Sequence, residues 1–535
     1  MKRAVVAGFG CLLLTWSLAA QSARSGVGQE LAVARHLTDG DEFKMSAAAL
    51  VSYGRTLFEA NWTELDGAGR PLSKGTGGAL SDRAHPLEGA RAYNRISGPD
   101  ANSCQGCHNL PYGITGGGGD FVTNAFQLAD RFDFITFERT DDNPTSRTVD
   151  ERRRPASLQT VGNVRATPGL FGAGYIEMLA RQITEDLQRT RDSIHPGESK
   201  PLMSKGIPFG VLARDADGRW NVSGVQGLAE PSVLTSATSR KPSLLVRPWQ
   251  QSGHAVSLRE VTNDSFNRHH GIQTTERFGV GTDPDGDGVV NEMTRADVTA
   301  VTVFQASLAV PGRVIPNNPS IERAVSAGER VFEQIRCTTC HLPSIPLDRR
   351  GWIYSEPGPN NPPMNLRRGD ARVLEIDLTS AALPSPRLLP SSDAPSVIHV
   401  PAYTDFKLHD ITDPKDETAK EPLDMNQLPG SPKFLDGNRK FLTRRLWGVA
   451  NEPPYFHDGR FTTMRQAVMA HAGEALEQRR AFEQLAPYEQ DALIEFLKSL
   501  QVLPPGTKDL YVDEHFRPKA WRSFGQTESR LSPLR

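Results

Sequence analysis

Four of the five cysteines fall in two copies of one pattern, Cys104-Gln105-Gly106-Cys107-His108 and Cys337-Thr338-Thr339-Cys340-His341. Cys-x-x-Cys-His is the spacing at which c-type haem is attached. Two thiols reach the two vinyl groups of one porphyrin, and the adjoining histidine turns under the iron as its proximal ligand. Two other chemistries use paired cysteines. A zinc ribbon keeps its pairs ~15–20 residues apart, whereas Cys107 and Cys337 stand in remote parts of the chain. Redox disulfides would leave both histidines unused, and the flanking sequence lacks a thioredoxin-like βαβ pattern. The motifs therefore predict two covalently bound haem c groups, held by Cys104, Cys107, Cys337 and Cys340, with His108 and His341 on the irons.

Each motif needs helices to hold it, and the chain supplies similar ones twice. Before the motifs run Gly54-Arg55-Thr56-Leu57-Phe58-Glu59 and Gly328-Glu329-Arg330-Val331-Phe332-Glu333. After them come Ala300, Phe304, Ser307, Leu308 and Val310, matched by Ala492, Phe496, Ser499, Leu500 and Val502. These positions keep a helical period, so one face of each helix can pack on a core. Pro311 and Pro504 then stop the helices. The repeat predicts a haem domain over 24–315, a second over 316–505, and a tail over 506–535.

A sixth ligand should lie between each motif and its closing helix, and haem iron accepts His or Met there. In the second unit His471 ends a predicted helix, with Met469, Met464 and His409 as rivals. In the first unit the rough counterpart is His269, followed by His270. The run Gly116 to Gly119, soon after His108, predicts room and mobility beside the first iron. Further on, Asp283, Asp285 and Asp287 alternate as in the first half of a Ca²⁺ loop, with Gly288 and Asn291 following. The twelfth position is Thr294 rather than Glu, leaving Glu292 or Asp297 as substitutes; the competing reading is a solvated acidic turn capping the next helix.

The N-terminus reads as a signal peptide over 1–23. Lys2 and Arg3 precede a mostly apolar Ala4 to Leu18, and small residues end near Ala20 or Ala23. Cys11 would leave with it, and Gly8-Phe9-Gly10 lacks the aliphatic residue of a lipoprotein anchor. The apolar run is short for a membrane span, so a periplasmic or secreted protein without a membrane anchor is expected. With 61 basic and 63 acidic residues, the chain has no basic excess to draw nucleic acid.

Pro454-Tyr455-Phe456-His457-Asp458-Gly459-Arg460-Phe461-Thr462-Thr463 resembles a segment of bacterial di-haem cytochrome c peroxidases. There the second haem's sixth ligand follows fourteen residues after the histidine of the HDG triplet, which is His471 here. The peroxidases usually place Met at that position and the methylamine-dehydrogenase maturation enzyme Tyr. Closer still is a resemblance to the di-haem oxidoreductase family, carried by Leu446-Trp447-Gly448, the HDGR turn, His471-Ala472-Gly473-Glu474-Ala475 and Asp405-Phe406-Lys407-Leu408-His409-Asp410. It spans most of residues 45–505, and the di-haem rubber oxygenase is a relative by architecture.

That resemblance implies a mainly α fold of two cytochrome c-like haem domains with long loops and insertions. It implies a first haem that meets peroxide or oxygen and a second that relays electrons, closed by His341 and His471. His269 or His270 would then act as acid–base group or displaceable ligand. A periplasmic electron-transfer protein would be the partner. Trp447 and Tyr455 would lie near the haems, as electron carriers or, in an apolar context, as core. Two rival functions remain open: an electron carrier without substrate, and an oxygenase cleaving an apolar substrate.

Overall fold

The computed structural model describes residues 33, 35–68, 94–97, 102–111, 113–127, 162–235, 240–283, 287–390, 393–428 and 431–521. The signal-peptide stretch 1–23 and Asp285 lie outside the described residues.

The repeated helical segments fold as two crossed pairs. In the first, α1 (Ala47–Glu59) starts at Ser46, whose side chain accepts the Ala49 N–H, and buries Leu50, Gly54, Leu57 and Phe58. The other long helices are α2 (Ala173–Asp192), α3 (Leu258–Ser265), α4 (Arg295–Ala306) and α5 (Pro319–Gln334). Beyond them come α6 (Met464–Ala470), α7 (Leu476–Glu483) and α8 (Pro487–Ser499). α1 packs on α4, and α5 packs on α8.

Both crossings rest on one glycine. A Cβ on Gly54 would overlap the main-chain carbonyl of Ala300, and one on Gly328 would overlap that of Ala492. One turn farther along, Phe58 meets Phe304 with ring centroids 5.3 Å apart, and Phe332 meets Phe496 at 5.3 Å. Residues four apart share a helix face, so the glycine lets the backbones close and the aromatic pair fills the wedge beyond. Each tilted ring pair adds ~0.5–1.5 kcal/mol to its area burial.

The expectation of a mainly α fold is wrong. Helix accounts for 34% of the structure and strand for 16%, the latter spread over several small sheets. β1 (Asn94–Ser97), β2 (Gly119–Gln127) and β3 (Gly162–Thr167) form an antiparallel sheet beside the first motif. β4 (Ser199–Ser204), β5 (Ile207–Arg214) and β6 (Trp220–Asn221) form a meander. Leu408–Asp410 pairs with Lys440–Leu442, setting His409 opposite Phe441. Gly312–Val314 is flanked by Leu500–Gln501 and Tyr511–Val512, so the segment leading to α5 is held by the chain after α8. Proline and glycine hid these strands. In β5 Ile207, Phe209 and Leu212 are buried between exposed neighbours, yet Pro208 and Gly210 read as loop residues.

Candidate haem sites

The two Cys-x-x-Cys-His motifs fold alike. Cys104–Cys107 is one helical turn and Cys337–Thr339 a 3-10 turn. In each the histidine N–H donates to the carbonyl of the first cysteine, at 3.0 Å from His108 to Cys104 and 3.0 Å from His341 to Cys337. A single turn brings residues i and i+3 to one side, which is what two thioethers to one porphyrin require.

The second motif opens on a cavity lined by His341, His471, Phe332, Leu493 and Leu497 among others. His341 Nδ1 lies 3.1 Å from the Tyr403 carbonyl. A carbonyl can only accept, so Nδ1 carries the proton and Nε2 keeps its lone pair. Burial, then the neighbouring His471, bring the His341 pKa down to about 4. His471 caps the C-terminus of α6, which a Thr463–Gln466 capping box fixes at its other end. Its Nδ1 donates to the Ala467 carbonyl at 2.8 Å, and burial lowers its pKa. Both imidazoles are thus neutral at pH 7, each with one ring nitrogen left for a metal.

The rivals of His471 are placed otherwise. His409 Nε2 meets Asp405 at 2.8 Å and Nδ1 meets Glu474 at 2.7 Å, so both of its nitrogens are engaged. Cys340, Asp405 and His409 form a compact trio beside the cavity. Met464 is on the cavity wall, packed on the core of Phe332 and Phe496, whereas Met469 is 39% exposed and off the wall. Tyr455 is on the wall, burial pushing its phenol up to about 12. Trp447 is buried away from both cavities, its ring against Gly172.

The first motif opens on a cavity with Phe58, His108, Trp249, His269 and His270 in its wall. His108 Nδ1 donates to the Gly117 carbonyl at 3.0 Å, and burial brings its pKa down to about 4. The glycine run 116–119 is buried, contrary to the mobility expected of it. A Cβ on Gly117 would overlap the Leu110 carbonyl, and one on Gly119 that of Cys107. Those glycines let a strand fold tightly over the motif.

In the wall of this cavity, α3 ends in a π-helical turn, Phe266–His270, closed by Gly271 at φ 71°. The wide turn puts His269 and His270 side by side, ring centroids 6.5 Å apart. Single π turns of this kind are frequent at functional sites. His270 Nε2 stands 3.4 Å from Cys104 Sγ. α3 itself is anchored by fully buried Arg259, which pairs with Glu276 at 2.5 Å and Glu356 at 3.2 Å.

The acidic turn gives its oxygens to its own main chain. Asp283 accepts from the N–H groups of Asp287 and Gly288, and Asp287 from Val289. Glu292 accepts from Gln273, and Asp297 caps α4 and bonds Tyr53.

Several buried polar atoms on the cavity walls have no hydrogen-bond partner among the described residues. Trp249 Nε1 is one at the first cavity; Gln478 Oε1 and both ring nitrogens of His457 are at the second. Buried polar groups are nearly always satisfied. Apolar walls, paired cysteines, an oriented imidazole and a few spare polar groups together fit a haem in each cavity.

Residues 391–500 match the family described as "Di-haem oxidoreductase, putative peroxidase". The chain is similar to the di-haem oxidoreductases. The di-haem oxidoreductase segment holds His409, His457 and His471; the Cys337–His341 motif precedes it, and the first cavity lies wholly outside it. No curated protein matches the chain. Among solved structures, Kuenenia stuttgartiensis hydrazine synthase, pressurised with xenon, is 14% identical with a TM-score of 0.27, over 64% of this chain and 73% of that one. A MauG-like protein associated with microbial copper homeostasis is 12% identical with a TM-score of 0.23, over 54% of this chain and 78% of that one. Both likenesses are distant. Among the described residues no helix is long and apolar enough to cross a membrane.

Proposed function

We propose that the chain is an exported c-type di-haem oxidoreductase that reduces peroxide in the first cavity and takes electrons through the second. The observation that carries this reading is the difference between the imidazoles that share each cavity with its proximal histidine. The wall of the second cavity holds, besides His341, an imidazole on a capped helix, His471, with Nδ1 committed to its own helix. The wall of the first cavity holds, besides His108, two adjacent imidazoles, His269 and His270, on a π turn.

Bound haem supplies the one-electron chemistry at each site. The first cavity supplies the proton work. Reduction of hydrogen peroxide to two waters consumes two electrons and two protons. A neutral imidazole, His269 or His270, takes the proton from one peroxide oxygen and returns it to the leaving one. Apolar neighbours such as Phe58, Leu170 and Phe266 keep bulk water from that exchange. A periplasmic electron-transfer protein supplies the electrons one at a time.

The test is cyanide or peroxide added to the oxidised and half-reduced protein, with EPR counting high-spin and low-spin haems. Loss of the first haem in Cys104→Ser/Cys107→Ser should abolish ligand binding and turnover. Turnover that survives there but vanishes in Cys337→Ser/Cys340→Ser reverses the assignment. The buried, close-packed glycine run beside His108 favours a second reading, a pure electron carrier with His269 on the first iron. Two low-spin haems untouched by cyanide in either redox state would select it.

A further inference from the structure

We infer that His457 hydrogen-bonds a carboxylate side chain of the haem in the second cavity, an inference that rests on the haem reading above. His457 is 7% exposed and shares the cavity wall with Cys337, Cys340, His341 and His471. Its ring lies flat on Phe441, centroids 3.7 Å apart and planes 12° apart, and Phe456 packs at 4.9 Å. That packing fixes the ring plane, so its polar edge cannot swing out to solvent. Neither ring nitrogen has a hydrogen-bond partner among the described residues.

The chemistry of the missing partner follows from what else the cavity holds. A porphyrin iron has two axial positions, and His341 and His471 already present one free nitrogen each. A third imidazole is surplus as an iron ligand. Neutral imidazole, the form that burial favours here, offers one N–H donor and one lone pair. Haem presents two carboxylates at its polar edge, and Gln478 Oε1 is a further buried polar atom on the same wall without a hydrogen-bond partner among the described residues. A donor N–H from His457 to a carboxylate is the pairing that satisfies both.

The same residue reaches the other site through its main chain. Its carbonyl accepts the Ala166 N–H at 3.0 Å, and the Ala166 carbonyl accepts Gln251 Nε2 at 2.9 Å. Ala166 lines the first cavity, and Gln251 lines both. The contact proposed for His457 therefore sits one peptide from the wall of the first cavity.

The experiment is a redox titration of the holoprotein that follows each haem by its visible and EPR signals. His457→Phe keeps the stack on Phe441 and removes both nitrogens. It should retain two covalent haems on a denaturing gel and the low-spin signal of the second haem. The second haem should become harder to reduce, because an unpaired carboxylate favours ferric iron. The expected change is about tenfold in the ferrous-to-ferric ratio at a given potential, ~59 mV for one electron, with the first haem unmoved. His457→Leu must shift it the same way, which covers the case in which the Phe variant fails to fold. His457→Gln, which keeps an N–H donor, should recover at least half. An unmoved second-haem potential in the Phe or Leu variant overturns the inference, as does a change of the second haem to high spin, which would make His457 an iron ligand. Wild-type protein lacking covalent haem would instead sink the haem reading itself.

Discussion

Gly328 lies directly against the main-chain carbonyl of Ala492, leaving no space for a methyl group, and Gly54 stands in the same relation to Ala300. The two contacts set how closely α5 approaches α8 and α1 approaches α4. They also place Phe332 and Phe58 beside His341 and His108, at 6.3 Å and 5.9 Å between ring centroids.

Gly328→Ala should therefore destabilise the protein despite the better helix propensity of alanine. Forcing the helices apart costs ~1–3 kcal/mol, as in other overpacked cores. Chemical denaturation followed by far-UV circular dichroism measures it. Wild-type stability would mean that the crossing has slack.

Removing the His471 ring should open the second iron. His471→Ala is expected to turn one of two haems high-spin and let imidazole bind there. His471→Met should stay six-coordinate and be easier to reduce, since an axial Met raises the potential. EPR and redox titration read both. A low-spin pair unchanged by His471→Ala would pass the ligand role to another residue.

His409 should make stability fall at high pH. Burial opposes its charge, but the hydrogen bond to Asp405, with Cys340 beside it, raises its pKa. With Cys340 converted to a thioether, the carboxylates of Asp405 and Glu474 remain. A folded pKa held above the unfolded one, ~6.5, by those carboxylates stabilises fully below pH ~6.5 and is progressively lost as pH rises through the raised folded pKa. Unfolding free energies across that window should decline in the wild type and run flatter in His409→Gln. Parallel curves would show that the imidazolium is not paired.

Arg259→Met should be costly, because it leaves Glu276 and Glu356 buried without their cation. Breaking a buried pair from one side typically costs ~3–5 kcal/mol. Adding Glu356→Gln should recover part of the loss. Since α3 carries the π turn, the single variant should also alter cyanide binding at the first haem. Denaturation midpoints and cyanide titration test the two effects separately.

Five-residue motifs were legible because their chemistry is local. Covalent spacing dictates that Cys104, Cys107 and His108 serve one group, and likewise Cys337, Cys340 and His341, whatever the rest of the chain does. The crossing helices were legible for a related reason: a 3.6-residue period is written in contiguous residues, and Phe58 and Phe332, like Ala300 and Ala492, hold equivalent places in it. The strands were not, since β5 owes its conformation to pairing with β4 and β6 while Pro208 and Gly210 argue against it. Nor was the packing of Gly117 and Gly119, where glycine means close approach rather than freedom. The carbonyls of Tyr403 and Gly117 that orient the proximal histidines, the carboxylates that occupy His409, and the ring stack that strands His457 at the cavity wall belong to the same class. Each joins residues distant in the chain or depends on burial. Those are consequences of how the whole chain packs, and no stretch of sequence carries them alone.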